Sequence, residues 1–270
     1  MAPARSAVIA IADTYIQGGL VQKDLKQIKL APDVFRHENG WDTGPNAATI
    51  NDQLSWAHEA LHGVRDQRWF VEGNEAFSIF ELTMAEGRRV GPIMEYFRVE
   101  GGKIKEISPT FQAASFGFNF LAPAKAAWLR PQAKKERKGA SAGTMELAEQ
   151  YFTALRRHEP GKAPVGEDAT LTENGKLVAT GRAATIQWLT AGVYAQLDKV
   201  QILKSVIEAK EGVLRFRFDL QDGRMLIGSQ HVRTHGGLIR ELFSNYGEGP
   251  SEAEVVKLKG RTENPPPALP

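Results

Sequence analysis

Apolar residues recur at helical spacing over residues 6–17, where Val8, Ile11, Ala12, Tyr15 and Ile16 share one face and Gly18-Gly19 supplies a stop. A short helix is expected over 24–28, a break at Ala31-Pro32-Asp33, a strand over 34–39 and a loop over 40–45. A further helix over 47–61 places Ile50, Leu54, Ala57 and Leu61 along one side. From residue 65 the period changes to two, which predicts strands over 65–71, 76–84, 89–99 and 103–111. Glu72-Gly73-Asn74, Ala85-Glu86-Gly87 and Gly101-Gly102 supply the turns between them, the glycines being free to take positive φ.

The same order then returns: a helix over 145–156, a strand leading out of 166–174, a helix over 183–191, and strands over 200–208, 214–220, 225–234 and 239–245. Words recur with it. Glu38-Asn39-Gly40 reappears as Glu173-Asn174-Gly175, and the stretch from Arg98 to Glu106 as Arg233 to Glu241, both 135 residues on. A fixed offset over distant motifs marks a duplicated unit, and a unit of this length is a domain. The expected organisation is therefore a first domain over 1–112, an inter-domain segment over 113–143, a second domain over 144–250 and an extended or disordered tail over 251–270 that ends in Pro265-Pro266-Pro267. The inter-domain segment is aromatic at first (Phe116, Phe118, Phe120, Trp128) and charged over 134–138.

Composition narrows the function classes. Of 270 residues 42% are hydrophobic and 24% charged, as in ordinary globular chains. A net charge of +2 gives no field for nucleic acid or an anionic membrane. The absence of cysteine excludes disulfides, thiol catalysis and cysteine-ligated metals. The first residues lack the apolar core of a signal peptide and no run of about 18 apolar residues occurs, so a cytoplasmic location is expected. No dinucleotide, P-loop or nucleophile-elbow motif is present, and no cofactor is expected.

Helix, helix, strand, helix and four antiparallel strands, closed by the hairpin of Phe97 to Ile107, resemble the nuclear-transport-factor-2-like superfamily of ketosteroid isomerases and polyketide cyclases. The matching stretches are 12–15, 31–40, 68–73 and 95–107, with 148–154, 168–175 and 232–243 in the second copy. The resemblance implies an α+β chain of two tandem cone-shaped domains, each a curved antiparallel sheet wrapped around about three helices with an apolar pocket between them. It also implies pairing through the sheets, either as an internal pseudo-dimer or as a homodimer. The catalytic set of the ketosteroid isomerases has no match at positions that align.

The candidate chemistry comes from the residues themselves. Ile93, Phe97 and Val99 define the inner face of their strand, and Glu95 shares it. A carboxyl among apolar neighbours serves as an acid or base near neutral pH. His37 follows Phe35 by two and faces inward if Phe35 does. Tyr15 and Tyr151 stand on the apolar stripe of the first helix of each copy. The proposed catalytic set is His37, Glu95 and Tyr15, with Phe35, Trp41, Trp56, Phe97 and Phe116 around a hydrophobic substrate. In the second copy Gln230 and Thr172 stand at the places of Glu95 and His37, so the chemistry is expected in the first. Tyr96 and His231 fall on the opposite strand face and are interface candidates. His58 and His62 are spaced i, i+4, but read as helix-end residues, and no metal is expected. The expected activity is that of a cofactor-independent lyase acting on an aromatic small molecule, by carbon–carbon cleavage such as deformylation, or by dehydration; the substrate could be lignin-derived. A steroid- or polyketide-type isomerase or cyclase, and a non-catalytic small-molecule binding module, stand as alternatives.

Overall fold

Among the described residues twelve strands form two six-stranded sheets of identical order, β2-β1-β6-β5-β4-β3 and β8-β7-β12-β11-β10-β9. The structure is a computed structural model and describes residues 3–57, 60–111 and 142–249. In the first domain the strands are β1 (Leu30–Glu38), β2 (Trp41–Gly44), β3 (Leu61–Glu72), β4 (Glu75–Met84), β5 (Arg89–Glu100) and β6 (Lys103–Thr110). In the second they are β7 (Val165–Glu173), β8 (Lys176–Thr180), β9 (Leu197–Glu208), β10 (Glu211–Leu220), β11 (Met225–His235) and β12 (Leu238–Glu248). All neighbours are antiparallel except β1 with β6 and β7 with β12, which run parallel. The helices are α1 (Arg5–Asp13), α2 (Ala47–Ala57), α3 (Ala142–Arg156), α4 (Arg182–Leu189) and α5 (Gly192–Ala195). This is the pair of α+β cones that the resemblance implies.

Several details differ from the sequence pattern: β1 runs through the expected break at Ala31-Pro32-Asp33, Leu61 opens β3 rather than closing α2, and the expected antiparallel sheets each contain one parallel pair. The glycine pair does not end the first helix, because a wider π-helical turn carries it on over Thr14–Val21. A Cβ on Gly19 would stand 2.8 Å from Ile28 Cδ1, so the missing side chain lets the turn close on the segment that follows it. The expected loop after Glu38 is instead a hairpin. Asn39 and Gly40 take φ of 48° and 87°, the left-handed pair that a tight Asn-Gly turn requires, and Asn174-Gly175 repeat it at 48° and 79°. The Asn39 side chain then fastens the turn to the end of β6, accepting from Phe111 N at 3.0 Å and donating to Phe111 O at 2.8 Å. Asn174 accepts from Tyr246 N at 3.0 Å in the same way.

Among the described residues strand alternation sorts the buried apolar side chains into three larger cores, and a small fourth cluster joins Val99 to Val8 and Ala76. Ile93, Phe97 and Ile107 turn inward with Ala12, Tyr15 and Ile16 of the helical segment. Leu214, Phe216 and Val232 do the same with Ala148, Tyr151 and Phe152. The opposite faces meet between the domains, where Phe70, Phe77, Ile79, Met94 and Tyr96 pack on Val206 and Val213. Tyr96 and His231 both lie there, His231 with its ring 5.4 Å from that of Phe70. The inter-domain segment with Phe116 and the charged run, the tail, and His58 lie outside the described residues.

Candidate functional site

The inner face of β1 carries Val34 and Arg36, so Phe35 and His37 project from the other face, turned away from the helices. Their rings meet edge-on there, 5.0 Å apart, and His37 is itself buried. The expectation that Phe35 and His37 face the helices therefore differs from their placement, because the strand turns the alternate set, Val34 and Arg36, inward. The residue that does meet Tyr15 is Arg36, which the sequence reading passed over.

Arg36 is buried and held from every side. Its Nη1 donates to the Tyr15 hydroxyl at 3.0 Å, its Nε to Thr43 Oγ1 at 3.1 Å, and its Nη2 to Gln53 Oε1 on α2. Glu38, two residues along the same face, stands 3.3 Å from Nε. Burial alone would weaken the guanidinium's hold on its proton, but Glu38, Tyr15 and Glu95 outweigh it and keep the charge in place.

Glu95 sits on the inner face of β5 between Ile93 and Phe97, only 2% exposed, and its Oε2 has no hydrogen-bond partner. Burial pushes its carboxyl up to about 8, Arg36 pulls it back, and Glu38 adds to the rise. Burial likewise raises the Tyr15 phenol, with Arg36 opposing. Tyr15 accepts from Arg36, so its own proton is left to donate elsewhere. Phe97 stands edge-on to Tyr15 at 5.9 Å and 5.8 Å from Trp69. A second polar string runs beside them: Gln67 Nε2 donates to Asp13 Oδ1 at 3.0 Å and reaches Ser78 Oγ at 3.4 Å, and Ser78 is the cross-strand neighbour of Glu95.

The structure thus brings Tyr15, Glu95 and Phe97 together. It places His37 and Phe35 on the outer face and Trp41 at the domain junction, where its indole N–H donates to Glu248 O at 3.1 Å. Trp56 falls within α2. Phe116 lies outside the described residues. The repeat held a signal for Arg36: the second copy reads Ala169, Thr170, Leu171, Thr172, which marks positions 34 and 36 as inward and 35 and 37 as outward. Among the described residues no three His, Asp or Glu side chains gather to hold a metal ion, and no helix is long and apolar enough to cross a membrane.

In the second domain the same positions hold different groups. Leu171 replaces Arg36 and Gln230 replaces Glu95, while Glu173 keeps the place of Glu38. Glu173 accepts from the hydroxyls of Tyr194 and, at 3.1 Å, Tyr246.

Among solved structures, a protein of unknown function from Mesorhizobium loti, described as NTF2-like, is 19% identical, with 42% of this chain and 97% of that one covered and a TM-score of 0.36. One from Burkholderia xenovorans LB400, also described as NTF-2 like and of unknown function, is 12% identical, with 47% and 96% covered and a TM-score of 0.35. A computationally designed 17-OHP binder is 14% identical, with 39% and 94% covered and a TM-score of 0.35. No curated protein matches the chain. The family model described as Domain of unknown function (DUF8021) matches it twice, over residues 2–111 and 138–243, and the chain belongs to that family.

Proposed function

We propose that the first domain is a cofactor-independent acid–base enzyme for a hydrophobic carbonyl compound, with Glu95 as the proton-transfer group and Tyr15 as the donor to the carbonyl oxygen. The observation that carries this reading is the buried Glu95 carboxyl with a free oxygen, titrating at about 8, beside a phenol polarised by a fixed guanidinium. In the carboxylate form Glu95 takes a proton from the substrate. In an isomerisation the proton comes from the carbon next to the carbonyl. In a retro-aldol cleavage it comes from a β-hydroxyl, and the carbon–carbon bond breaks to release an aldehyde. In both cases the electron pair moves onto the carbonyl oxygen, where the Tyr15 O–H meets the growing charge. Arg36 acts through Tyr15, to which its Nη1 donates, while Thr43 and Gln53 hold Nε and Nη2 and fix the plane of the guanidinium. Returning the proton to carbon completes either reaction. Phe97 and Trp69 favour an aromatic or polycyclic body, and the lignin-derived diarylpropanes belong to this class.

A screen of the purified protein against ketosteroids and β-hydroxy aryl ketones, without added cofactor, tests the reading. Turnover should appear, fall about 100-fold or more in Glu95→Gln with binding kept, and rise with pH through about 8 in the native chain. Complete burial of Glu95 favours a second reading, a binding module without chemistry. Tight binding that Glu95→Gln leaves intact, with no turnover on any compound, would establish that second reading and end the first.

A further inference from the structure

The second domain carries its own buried polar cluster, and its charge is unbalanced. Glu173 is 6% exposed and both its oxygens act as acceptors, one from Tyr194 and one from Tyr246. In the first domain the equivalent Glu38 lies against Arg36, but Leu171 occupies that place here. Among the described residues no cation lies within ion-pair distance of Glu173. A buried carboxylate without a counter-charge is costly, and two phenol donors compensate only part of that cost. Two further polar atoms converge beside it. Gln230 donates its Nε2 to Ser244 Oγ at 2.7 Å, but its Oε1 is buried without a hydrogen-bond partner, and so is the Tyr151 hydroxyl. Gln230 and Tyr194 stand close enough to bear on the Tyr151 hydroxyl without reaching hydrogen-bond distance, and Glu173 and Tyr246 act on it electrostatically, so the groups form one cluster. Its surroundings are aromatic: Tyr151 meets Phe152 at 5.3 Å, Phe152 meets Phe218 at 6.2 Å, and Phe218 meets Tyr194 at 6.1 Å. Tyr246 is only half-buried and connects the cluster to the surface.

We propose that this cluster is a binding site for a protonated amine on an apolar body, with Glu173 as its counter-charge, Gln230 Oε1 and the Tyr151 oxygen accepting its N–H groups, and the rings of Phe218 and Tyr194 enclosing it. The complement matches on three counts. The unused groups include acceptors for N–H donors, the one formal charge is negative, and ring faces attract cations. An anionic ligand would meet Glu173 with no cation to offset it. The site is independent of the chemistry proposed for the first domain, because it shares no residue with it.

Isothermal titration of the full chain, in phosphate buffer free of amines, should compare benzylamine with benzyl alcohol, a probe of nearly the same shape without the charge. Benzylamine should bind at least about 10-fold more tightly. Glu173→Gln should remove that preference, whereas Glu95→Gln should leave it unchanged. Should Glu173→Gln not fold, Gln230→Met removes one acceptor without altering the charge and should weaken benzylamine alone. Equal affinity for the two probes, binding of neither, a preference that survives the change at Glu173, or a Gln230→Met chain that binds benzylamine undiminished would overturn the proposal.

Discussion

Burial moves the Glu95 carboxyl far from ordinary side-chain chemistry, and the departure has a thermodynamic consequence. Its carboxyl titrates at about 8 in the folded chain against 4.5 for the free group. Between those values the folded chain holds a proton that the unfolded chain has released, so stability falls as pH rises from about 4.5 to about 8 and is level above. The full effect is on the order of a few kcal/mol. Glu95→Gln removes it, and Gln230 at the equivalent place shows that glutamine fits this strand position. The variant should therefore melt higher than the native chain at pH 8, with the gap closing toward pH 5. A constant gap across that range would mean that Glu95 does not titrate as burial dictates. The sequence made Glu95 legible through strand alternation alone. Arg36 was hidden because the aromatic residues on either side of it suggested the opposite face.

Among the elements, the repeated Glu-Asn-Gly hairpin does three things at once. Its backbone takes left-handed φ, its asparagine fastens β1 to the end of β6, and its glycine lets the second domain approach. Asn39→Gly separates these roles, since glycine tolerates the φ of 48° but cannot bond Phe111. Loss of two buried hydrogen bonds should cost about 2–3 kcal/mol, read as a lower denaturation midpoint at unchanged m-value. An unchanged midpoint would assign the repeated geometry to the turn alone. The turn residues were visible in the sequence because Asn-Gly chemistry is local. The clamp was not, since its partner lies 72 residues away.

For the whole molecule, the contacts between the two copies are reciprocal, as across a two-fold axis. A Cβ on Gly40 would strike Ile227 at 2.6 Å, and one on Gly175 would meet Pro92 at 3.3 Å, Ile227 and Pro92 being equivalent positions. Asn245 donates to Thr110 O at 2.9 Å, again a pair of equivalents. Arg5 reaches across to Glu208 at 2.8 Å. The apolar patch of Phe70, Phe77, Ile79, Met94 and Tyr96 is covered by the second domain. The isolated segment 1–140 leaves that patch bare and should self-associate in sedimentation experiments. A well-behaved monomer at high concentration would contradict this account of the interface.

The sequence by itself determined the duplication, the four-strand meander of each copy with its turns, and the inward place of Glu95, while the cone architecture was what the family resemblance implied. The first three follow from the fixed offset of repeated words, from period and from turn chemistry, which need no knowledge of packing. Only the tertiary structure decided that Arg36 rather than His37 meets Tyr15, that Trp41 serves the domain junction, and that two phenols, and no cation among the described residues, meet Glu173. Those facts depend on which face of a strand meets the helices and on which residues distant in the chain arrive beside it, and packing sets both.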